Sequence, residues 1–201
     1  MIVSIKEAKL NFIVESAQKL FFKKGIAAVT IKDIAKEVGV GEATIYRHFQ
    51  KKQNLVLAVA MSIFGAVSQE YFHQSQYKLG YEKIEAFYMS FYNIFKVRRD
   101  YYNFLAEFDL YIAEQTADLG AYENGIRTFF DDFNYAYKLG LQDGSIKEVE
   151  NIEVFYFTTT HALLELCKKL ASDAKILKQD GKYSTEEVET LIKLFLSNLK
   201  K

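Results

Sequence analysis

The side chains with the clearest chemical potential lie between residues 44 and 52. Thr44 and Tyr46 carry hydroxyl groups, Arg47 and His48 can donate hydrogen bonds, and Lys52 adds a further cation. Donors of this kind suit phosphate oxygens and the acceptor edges of bases. The cluster indicates a nucleic acid contact. The alternative, for Tyr46 or His48 taken alone, is a residue that merely covers a small hydrophobic core.

Candidates for catalysis are sparse elsewhere. The three histidines, His48, His73 and His161, are scattered, and Cys167 lies almost two helical turns from His161, so a Cys-His pair is not favoured. His161 and Glu165 share a helical face at i and i+4, which could hold a metal or form a local ion pair. The pattern favours the ion pair. We therefore predict that the protein is not an enzyme and that it needs no cofactor or metal.

Charge is distributed unevenly along the chain. The net charge is zero, but residues 1 to 55 hold ten Lys or Arg and five Asp or Glu, so their net charge is +5. The remaining residues hold 26 − 10 = 16 basic and 26 − 5 = 21 acidic side chains, a net charge of −5. The N-terminal part therefore suits a polyanion, with chance drift of a short window as the alternative.

Composition predicts a helical protein. The 201 residues include no proline, half are apolar, and the ten glycines mostly fall between long apolar-periodic stretches. A single cysteine excludes an intramolecular disulfide, and neither a signal peptide nor a long uncharged apolar stretch is evident. We expect an all-α fold, a cytoplasmic location and no membrane partner.

Three helices are predicted at the N-terminal end. The first begins near Ile5 and stops at Lys23-Lys24-Gly25, where cations and a glycine end a helix. Thr30-Ile31-Lys32-Asp33 matches a capping box that opens a second helix, which ends at Gly39. After Gly39-Val40-Gly41, a third runs from about Glu42 to Phe49 with Ile45 and Phe49 facing inward. Two short helices joined by a glycine turn indicate a helix-turn-helix.

Six further helices are predicted. A long one runs from Lys52 to about Tyr77 and is stopped by Gly80; the others span roughly 81 to 98, 101 to 114, 120 to 140, 151 to 173 and 184 to 199. Ser184-Thr185-Glu186-Glu187 predicts a capping box for the last. We therefore expect nine helices in two domains, a DNA-binding domain over 1 to 52 and a larger helical domain over 53 to 201.

The stretch from Gly25 to Leu55, GIAAVTIKDIAKEVGVGEATIYRHFQKKQNL, closely resembles the DNA-binding signature of the TetR family. The resemblance includes the glycine after helix one, Thr30, Asp-Ile-Ala, the Gly-Val turn, Thr-x-Tyr in helix three and Lys-x-x-Leu opening helix four. The segment from Gly140 to Ile146 is similar to the turn after the family's seventh helix. The region between these two segments is similar to the family's ligand-binding domain in architecture only.

This resemblance implies DNA-contacting residues. Five residues would contact the DNA backbone and so position the protein, namely Thr30, Thr44, Tyr46, His48 and Lys52. The segment 41 to 48 would read the base sequence from the major groove. The predicted DNA-binding residues are Thr30, Lys32, Gly41, Glu42, Ala43, Thr44, Tyr46, Arg47, His48 and Lys52. Two departures from the family pattern are Gly41 and Lys51, which replace residues whose side chains cap helices, and Gln53 and Asn54 stand where acids are usual.

The second domain is rich in aromatic residues. Of 31 aromatic residues, five lie in residues 1 to 55 and 26 in the other 146. Such a group predicts an aromatic-walled ligand cavity, with ordinary packing as the alternative for any single member. The predicted ligand-binding residues are Tyr88, Phe91, Tyr92, Phe108, Tyr111, Phe129, Phe133, Tyr137, Tyr156 and His161.

The effector is expected to be a small lipophilic molecule, either a flat cation or an acyl chain. Glu107, Asp109 and Glu165 among the aromatic helices favour the cation, and Arg127 is the only basic residue between Tyr101 and Tyr137. The alternative is that all three acids face solvent.

The family resemblance implies a homodimer, joined through the last two helices, that binds double-stranded operator DNA and releases it when the effector binds. The resemblance thus implies a ligand-responsive transcription regulator that acts as a repressor. A DNA-binding adaptor controlled by a protein partner and a helical enzyme are the alternatives. An enclosed cavity in the second domain would favour the sensor over the adaptor.

Overall fold

The computed structural model describes residues 5 to 72, 76 to 115, 118 to 172 and 181 to 201. Within these residues the fold is all-α, as predicted. The described chain contains nine helices, α1 (Ile5–Lys24), α2 (Ile31–Val38), α3 (Glu42–Phe49), α4 (Lys52–Tyr71), α5 (Gly80–Val97), α6 (Arg99–Ala113), α7 (Gly120–Asp143), α8 (Ile152–Ala171) and α9 (Ser184–Leu199).

The helices form two compact units. Unit 1 comprises residues 1 to 65 and 103 to 122, and unit 2 comprises residues 66 to 102 and 123 to 201. The division falls within α4, α6 and α7, so each of these helices contributes to both units. The domain boundary expected after residue 52 stays a prediction.

The core of unit 1 comes from one face of each of its first four helices. Ile13 and Ala17 of α1, Ile34 of α2, Ile45 of α3 and Leu55 of α4 are completely buried. Burial of these apolar faces stabilises helices that are too short to persist alone, since α2 and α3 have only eight residues each. The packing of unit 1 therefore holds the helix-turn-helix in place.

Unit 2 is a bundle in which α5, α8 and α9 pack on one another. Its largest buried side chains include Tyr88 and Phe95 of α5, Phe133 of α7, Leu163 of α8 and Ile192 of α9. Many of these are aromatic, so the abundance of aromatic residues after residue 55 is used to a large extent as core.

The end of α4 differs from the prediction. We expected the helix to run to about Tyr77 and to be stopped by Gly80, but it ends at Tyr71, and Gly80 instead begins α5. The Ser90 hydroxyl donates to the Tyr71 carbonyl at 2.6 Å, which satisfies an acceptor that the ended helix leaves free. Glycine is needed at position 80 for another reason, because a Cβ there would lie 2.1 Å from the backbone nitrogen of Gly140.

The capping box predicted for the last helix is also wrong. Ser184 is the first residue of α9 rather than its cap, and no side chain caps this helix. The Ser184 hydroxyl accepts a hydrogen bond from Arg99 at 3.0 Å, and the backbone nitrogen of Glu187 donates to the Tyr183 carbonyl. A tertiary partner has replaced the local one.

The remaining helix ends fall within three residues of the predicted ones. Among the described residues, no helix combines the length and the apolar character that crossing a membrane would require.

Candidate nucleic-acid interface

The start of α2 is fixed by the predicted capping box. The Thr30 hydroxyl accepts from the Asp33 backbone nitrogen at 3.1 Å, and the Thr30 backbone nitrogen donates to the Asp33 carboxylate at 2.9 Å. The Thr30 hydroxyl also donates to that carboxylate at 2.6 Å, and these hydrogen bonds hold the pKa of Asp33 below its usual value. Thr30 itself is exposed, so it marks the edge of the interface.

The turn between α2 and α3 depends on Gly39. Its φ of 75° lies in the left-handed region, where a side chain is strained and glycine is not. The Val40 backbone nitrogen then donates to the Ala35 carbonyl at 3.0 Å. Gly41 precedes α3 without a side-chain cap, as the departure from the family pattern led us to expect.

Helix α3 separates its two faces cleanly. Ile45 and Phe49 point into unit 1, whereas Tyr46 is 48% exposed and Arg47 is exposed. This exposure argues against Tyr46 being a core-covering residue. Thr44 and His48 are half-buried, so each keeps part of its surface accessible. Lys32, Gly41, Glu42 and Ala43 are exposed as well.

A tight turn links α3 to α4. Gln50 has a φ of 63° and a ψ of −43°, and the Lys51 backbone nitrogen donates to the Phe49 carbonyl at 2.6 Å. This is the geometry of the rare γ-turn with a left-handed central residue. The Asn54 side chain also donates to the Phe49 carbonyl at 2.8 Å. The turn therefore fixes where α4 begins.

Lys52, the predicted phosphate contact, has intramolecular partners. Its ammonium group donates to the Ile26 carbonyl at 2.5 Å, lies 3.4 Å from the Ala27 carbonyl, and is 5.3 Å from the centroid of the Tyr111 ring. Partial burial lowers its pKa. Its contact with phosphate stays a prediction, because reaching a phosphate means exchanging these partners.

Glu107 of α6 is a site residue that the sequence reasoning assigned to other chemistry. We expected it to attract a cationic ligand, but its carboxylate accepts from the Ile26 backbone nitrogen at 2.6 Å. Glu107 and Ile26 are 81 positions apart in the sequence. No local pattern relates residues so distant, which is why this contact was missed.

Five predicted effector residues come together in unit 2. Each has its ring centroid 5.2 to 6.5 Å from that of Phe87, a residue that was not predicted. The five are Tyr88, Phe91, Phe129, Phe133 and Tyr156. The spacing of four residues between Phe87 and Phe91 was the available signal, since it places both on one helical face.

The other predicted effector residues are placed differently. Phe108 and Tyr111 belong to unit 1, Tyr92 is half-buried beside Lys96, and His161 is exposed on α8. The hydroxyl of Tyr137 accepts a hydrogen bond from the Val149 backbone nitrogen at 2.9 Å. Their roles in ligand binding stay predictions.

Glu165, which we had considered for ligand or metal binding, has a different partner. Glu165 pairs with Lys168 at 2.7 Å, so the local ion pair forms with a lysine rather than with His161. Within the described part of the chain, no three His, Cys, Asp or Glu side chains are grouped as a metal site would require. His73 lies outside the described residues.

Comparison with known proteins finds relatives of the N-terminal segment. Residues 13 to 59 match the family model of bacterial regulatory proteins, tetR family. Over 47 residues the chain is 49% identical to the HTH-type transcriptional regulator YvkB of Bacillus subtilis, covering 23% of this chain and 25% of YvkB. Over 51 residues it is 43% identical to TtgR of Pseudomonas putida, covering 25% of this chain and 24% of TtgR. The matches thus span about a quarter of these relatives' length.

The fold extends the similarity to the rest of the chain. A transcriptional regulator from Saccharomonospora viridis, solved in complex with choline, superposes with a TM-score of 0.76 at 16% identity and covers 98% of this chain and 99% of its own. The N-terminal match carries the family's DNA-binding signature, and the nine described helices follow the family's fold. Residues 13 to 59 therefore belong to the TetR family of bacterial regulatory proteins, and the described helices have the fold of solved TetR-family regulators.

Proposed function

We propose that this TetR-family transcription regulator is a ligand-responsive repressor that binds operator DNA as a homodimer through α3. The observation that carries the proposal is the exposed face of α3. Tyr46 and Arg47 lie outside while Ile45 and Phe49 anchor the helix from inside. In a helix-turn-helix the second helix enters the major groove, where such donors meet base edges and phosphates.

Charge supports the same interface. The first 55 residues carry a net charge of +5, which favours a polyanion at long range. Lys52 would add a phosphate contact by exchanging the Ile26 carbonyl for a phosphate oxygen. Both acceptors suit an ammonium group, but the phosphate carries a full negative charge and forms the stronger bond, since both partners are then charged.

The DNA proposal is tested by separating base contacts from phosphate contacts. A duplex enriched from a random pool by the wild-type protein serves as the specific probe, and the unselected pool serves as the non-specific one. Arg47→Ala should weaken binding to the enriched duplex by about 1 to 3 kcal/mol and leave the pool nearly unaffected. Lys52→Ala should weaken binding to both and flatten the salt slope by about one. Fluorescence anisotropy across a salt series measures both quantities.

Lys138→Ala is the matched control, because Lys138 is an exposed lysine of unit 2 and its loss changes the net charge equally. Its affinity for either probe should stay within about twofold of the wild type. Equal losses for Lys138→Ala and Arg47→Ala, or enrichment of no sequence by the wild type, would contradict the proposal.

We infer that the effector is a lipophilic cation held in unit 2. Asp132 is an exposed residue of α7, and partial burial of its carboxyl group, with the neighbouring Asp131 as a second cause, raises its pKa. Burial raises the pKa of Tyr156, and the charge of Asp132 adds to this effect. The Tyr156 ring lies 5.2 Å from that of Phe130 and 5.1 Å from that of Phe133. A carboxylate beside aromatic rings favours a cation. The Saccharomonospora viridis regulator binds choline, a quaternary ammonium compound, which agrees with this class.

Calorimetric titration distinguishes the cation from an acyl chain. Choline, an aromatic quaternary ammonium dye and a long-chain fatty acid are each titrated into the protein, and release of the enriched duplex is followed in parallel. The dye should bind saturably, and Asp132→Asn should weaken its binding about threefold to tenfold through loss of the charge. Glu123→Gln, which removes another exposed acid from the same helix, nine positions away, should have no effect. Saturable binding of the fatty acid alone, with duplex release, would refute the cation proposal.

The proposed dimer uses α8 and α9. Three large apolar side chains of these helices are exposed in the single chain, namely Val154 at 60%, Phe157 at 37% and Leu194 at 57%. A homodimer that paired these helices would cover such side chains. Two α3 helices would then be available for two half-sites.

A further inference from the structure

We infer that Glu107 is a positioning residue for DNA reading, because it holds the turn from which the helix-turn-helix starts. The turn comprises residues Gly25 to Ala28 and separates α1 from α2. Within it, Ile26 has both backbone groups held by charged side chains of other helices. The inference rests on the proposed DNA-binding function and extends it to a residue outside the helix-turn-helix.

The first contact is the hydrogen bond that the Glu107 carboxylate accepts from the Ile26 backbone nitrogen, at 2.6 Å. Glycine at position 25 leaves room for this approach. A Cβ at Gly25 would lie 3.0 Å from a Glu107 carboxylate oxygen, and its φ of 84° is in the left-handed region. Gly25 thus serves both the end of α1 and the approach of Glu107.

The second contact is the hydrogen bond that the Lys52 ammonium group donates to the Ile26 carbonyl, at 2.5 Å. The two side chains therefore act on opposite sides of one residue, the anion on the donor and the cation on the acceptor. Each is a charge-assisted hydrogen bond, which is stronger than a bond between neutral groups. The Ile26 side chain is itself only 1% exposed, so its position is also fixed by packing.

Ile26 lies four residues before Thr30, the cap of α2. Fixing its backbone limits the positions from which α2 can start, and α2 packs on α3. Lys52 would leave Ile26 if it binds phosphate, whereas Glu107 is an anion and has no reason to follow it. When DNA is bound, Glu107 would then be the charged side chain that still forms a hydrogen bond with the Ile26 backbone.

The test uses Glu107→Ala and Glu107→Gln in the full chain. Glutamine keeps an oxygen that can accept from Ile26 without the charge, so it should restore part of what alanine loses. Glu114→Ala is the matched control. Glu114 is an exposed acid seven positions further along, and it lines the same open hollow of about 440 Å³ beside the turn as Glu107 does.

Two readouts are measured. Hydrogen exchange followed by mass spectrometry, on a peptide that contains Gly25 to Ala28, reports the hold on the turn without DNA. Anisotropy with the enriched duplex and with the unselected pool reports the ratio of specific to non-specific affinity. Glu107→Ala should accelerate exchange about tenfold or more and lower the affinity ratio about tenfold, as expected for loss of a bond to a charged group.

Partial recovery of both readouts in Glu107→Gln, with Glu114→Ala like the wild type, supports the assignment. Wild-type exchange or an unchanged affinity ratio in Glu107→Ala overturns it, and so does a glutamine variant no better than alanine. If Glu107→Ala does not fold, the comparison of Glu107→Gln with the wild type decides by the same two readouts. A wild type that prefers no sequence would refute the proposed function, while the exchange measurement would still judge whether Glu107 holds the turn.

Discussion

At the scale of single residues, the candidate interface contains residues whose polar groups are hydrogen-bonded to each other and a residue whose backbone is strained. Thr30 and Asp33 satisfy each other in a capping box, so the start of α2 is locally stable. Gln50, by contrast, adopts a positive φ in the connection from α3 to α4. Such a backbone costs a non-glycine residue about 1 to 3 kcal/mol. The strain lies directly after the proposed reading helix.

Replacing Gln50 with glycine should stabilise the protein. Relief of the backbone strain exceeds the extra unfolded-state entropy of glycine, about 0.5 to 1 kcal/mol, so we expect a net gain of about 1 kcal/mol. Chemical denaturation measures it as a shift in the unfolding midpoint. The control is Gln142→Gly, at an exposed position in the last turn of α7, which should lose up to about 1 kcal/mol. A loss for both variants would show that Gln50 is not strained.

At the scale of helices, the turn after α7 anchors the start of α5. The Asp143 carboxylate accepts from the Gly80 backbone nitrogen at 2.8 Å, and the Ser145 hydroxyl accepts from that of Tyr81 at 3.1 Å. These are donors that the first turn of a helix leaves without partners. The segment from Gly140 to Ile146, which resembles the family's turn, therefore works as a cap supplied by another helix.

The crossing of α5 and α7 predicts opposite outcomes for two glycines. Gly80→Ala places a Cβ 2.1 Å from the Gly140 backbone nitrogen and should destabilise the protein by about 1 to 3 kcal/mol or more. Gly65→Ala, within α4, meets nothing within 4 Å and should stabilise it by about 1 kcal/mol through helix propensity. Thermal unfolding of both variants checks the pair. A Gly80→Ala protein as stable as the wild type would mean that the helices do not approach this closely.

At the scale of the whole molecule, the proposed function depends on a second copy of the chain. Leu194 is 57% exposed on α9, whereas the Phe195 ring lies 5.6 Å from the Tyr88 ring in the core of unit 2. Changing Phe195 to aspartate would therefore disturb folding together with association. Leu194 is the better position at which to test the dimer.

Leu194→Asp should shift the protein from dimer to monomer. Loss of a buried leucine side chain removes about 1.5 to 3 kcal/mol, and the two-fold symmetry of a dimer counts it twice, so the dimer Kd should rise about a hundredfold or more. Sedimentation at micromolar concentration measures this, and binding to the enriched duplex should fall in parallel. Leu141→Asp, at a leucine of α7 that is 38% exposed, is the control and should remain dimeric. A monomeric wild type would contradict the proposed dimer.

The sequence by itself determined the helical class, the helix-turn-helix and the family of the N-terminal segment, because these depend on local signals. Apolar spacing, the Thr30 cap and the Gly39 turn act over a few residues, and the structure has them where the sequence predicted them. The exposed face of α3 followed from the same spacing, since Ile45 and Phe49 can only be buried together if Tyr46 and Arg47 point outward.

Tertiary structure decided what depends on distant partners. Ser184 resembles a cap in the sequence but is bound by Arg99, and Gly80 resembles a helix stop but is required by the approach of Gly140. Glu107 resembles a ligand-binding acid among aromatic residues, yet it holds Ile26 from 81 positions away. In each case the side chain's chemistry was readable from the sequence, but which of several competing partners it meets depends on how the helices pack.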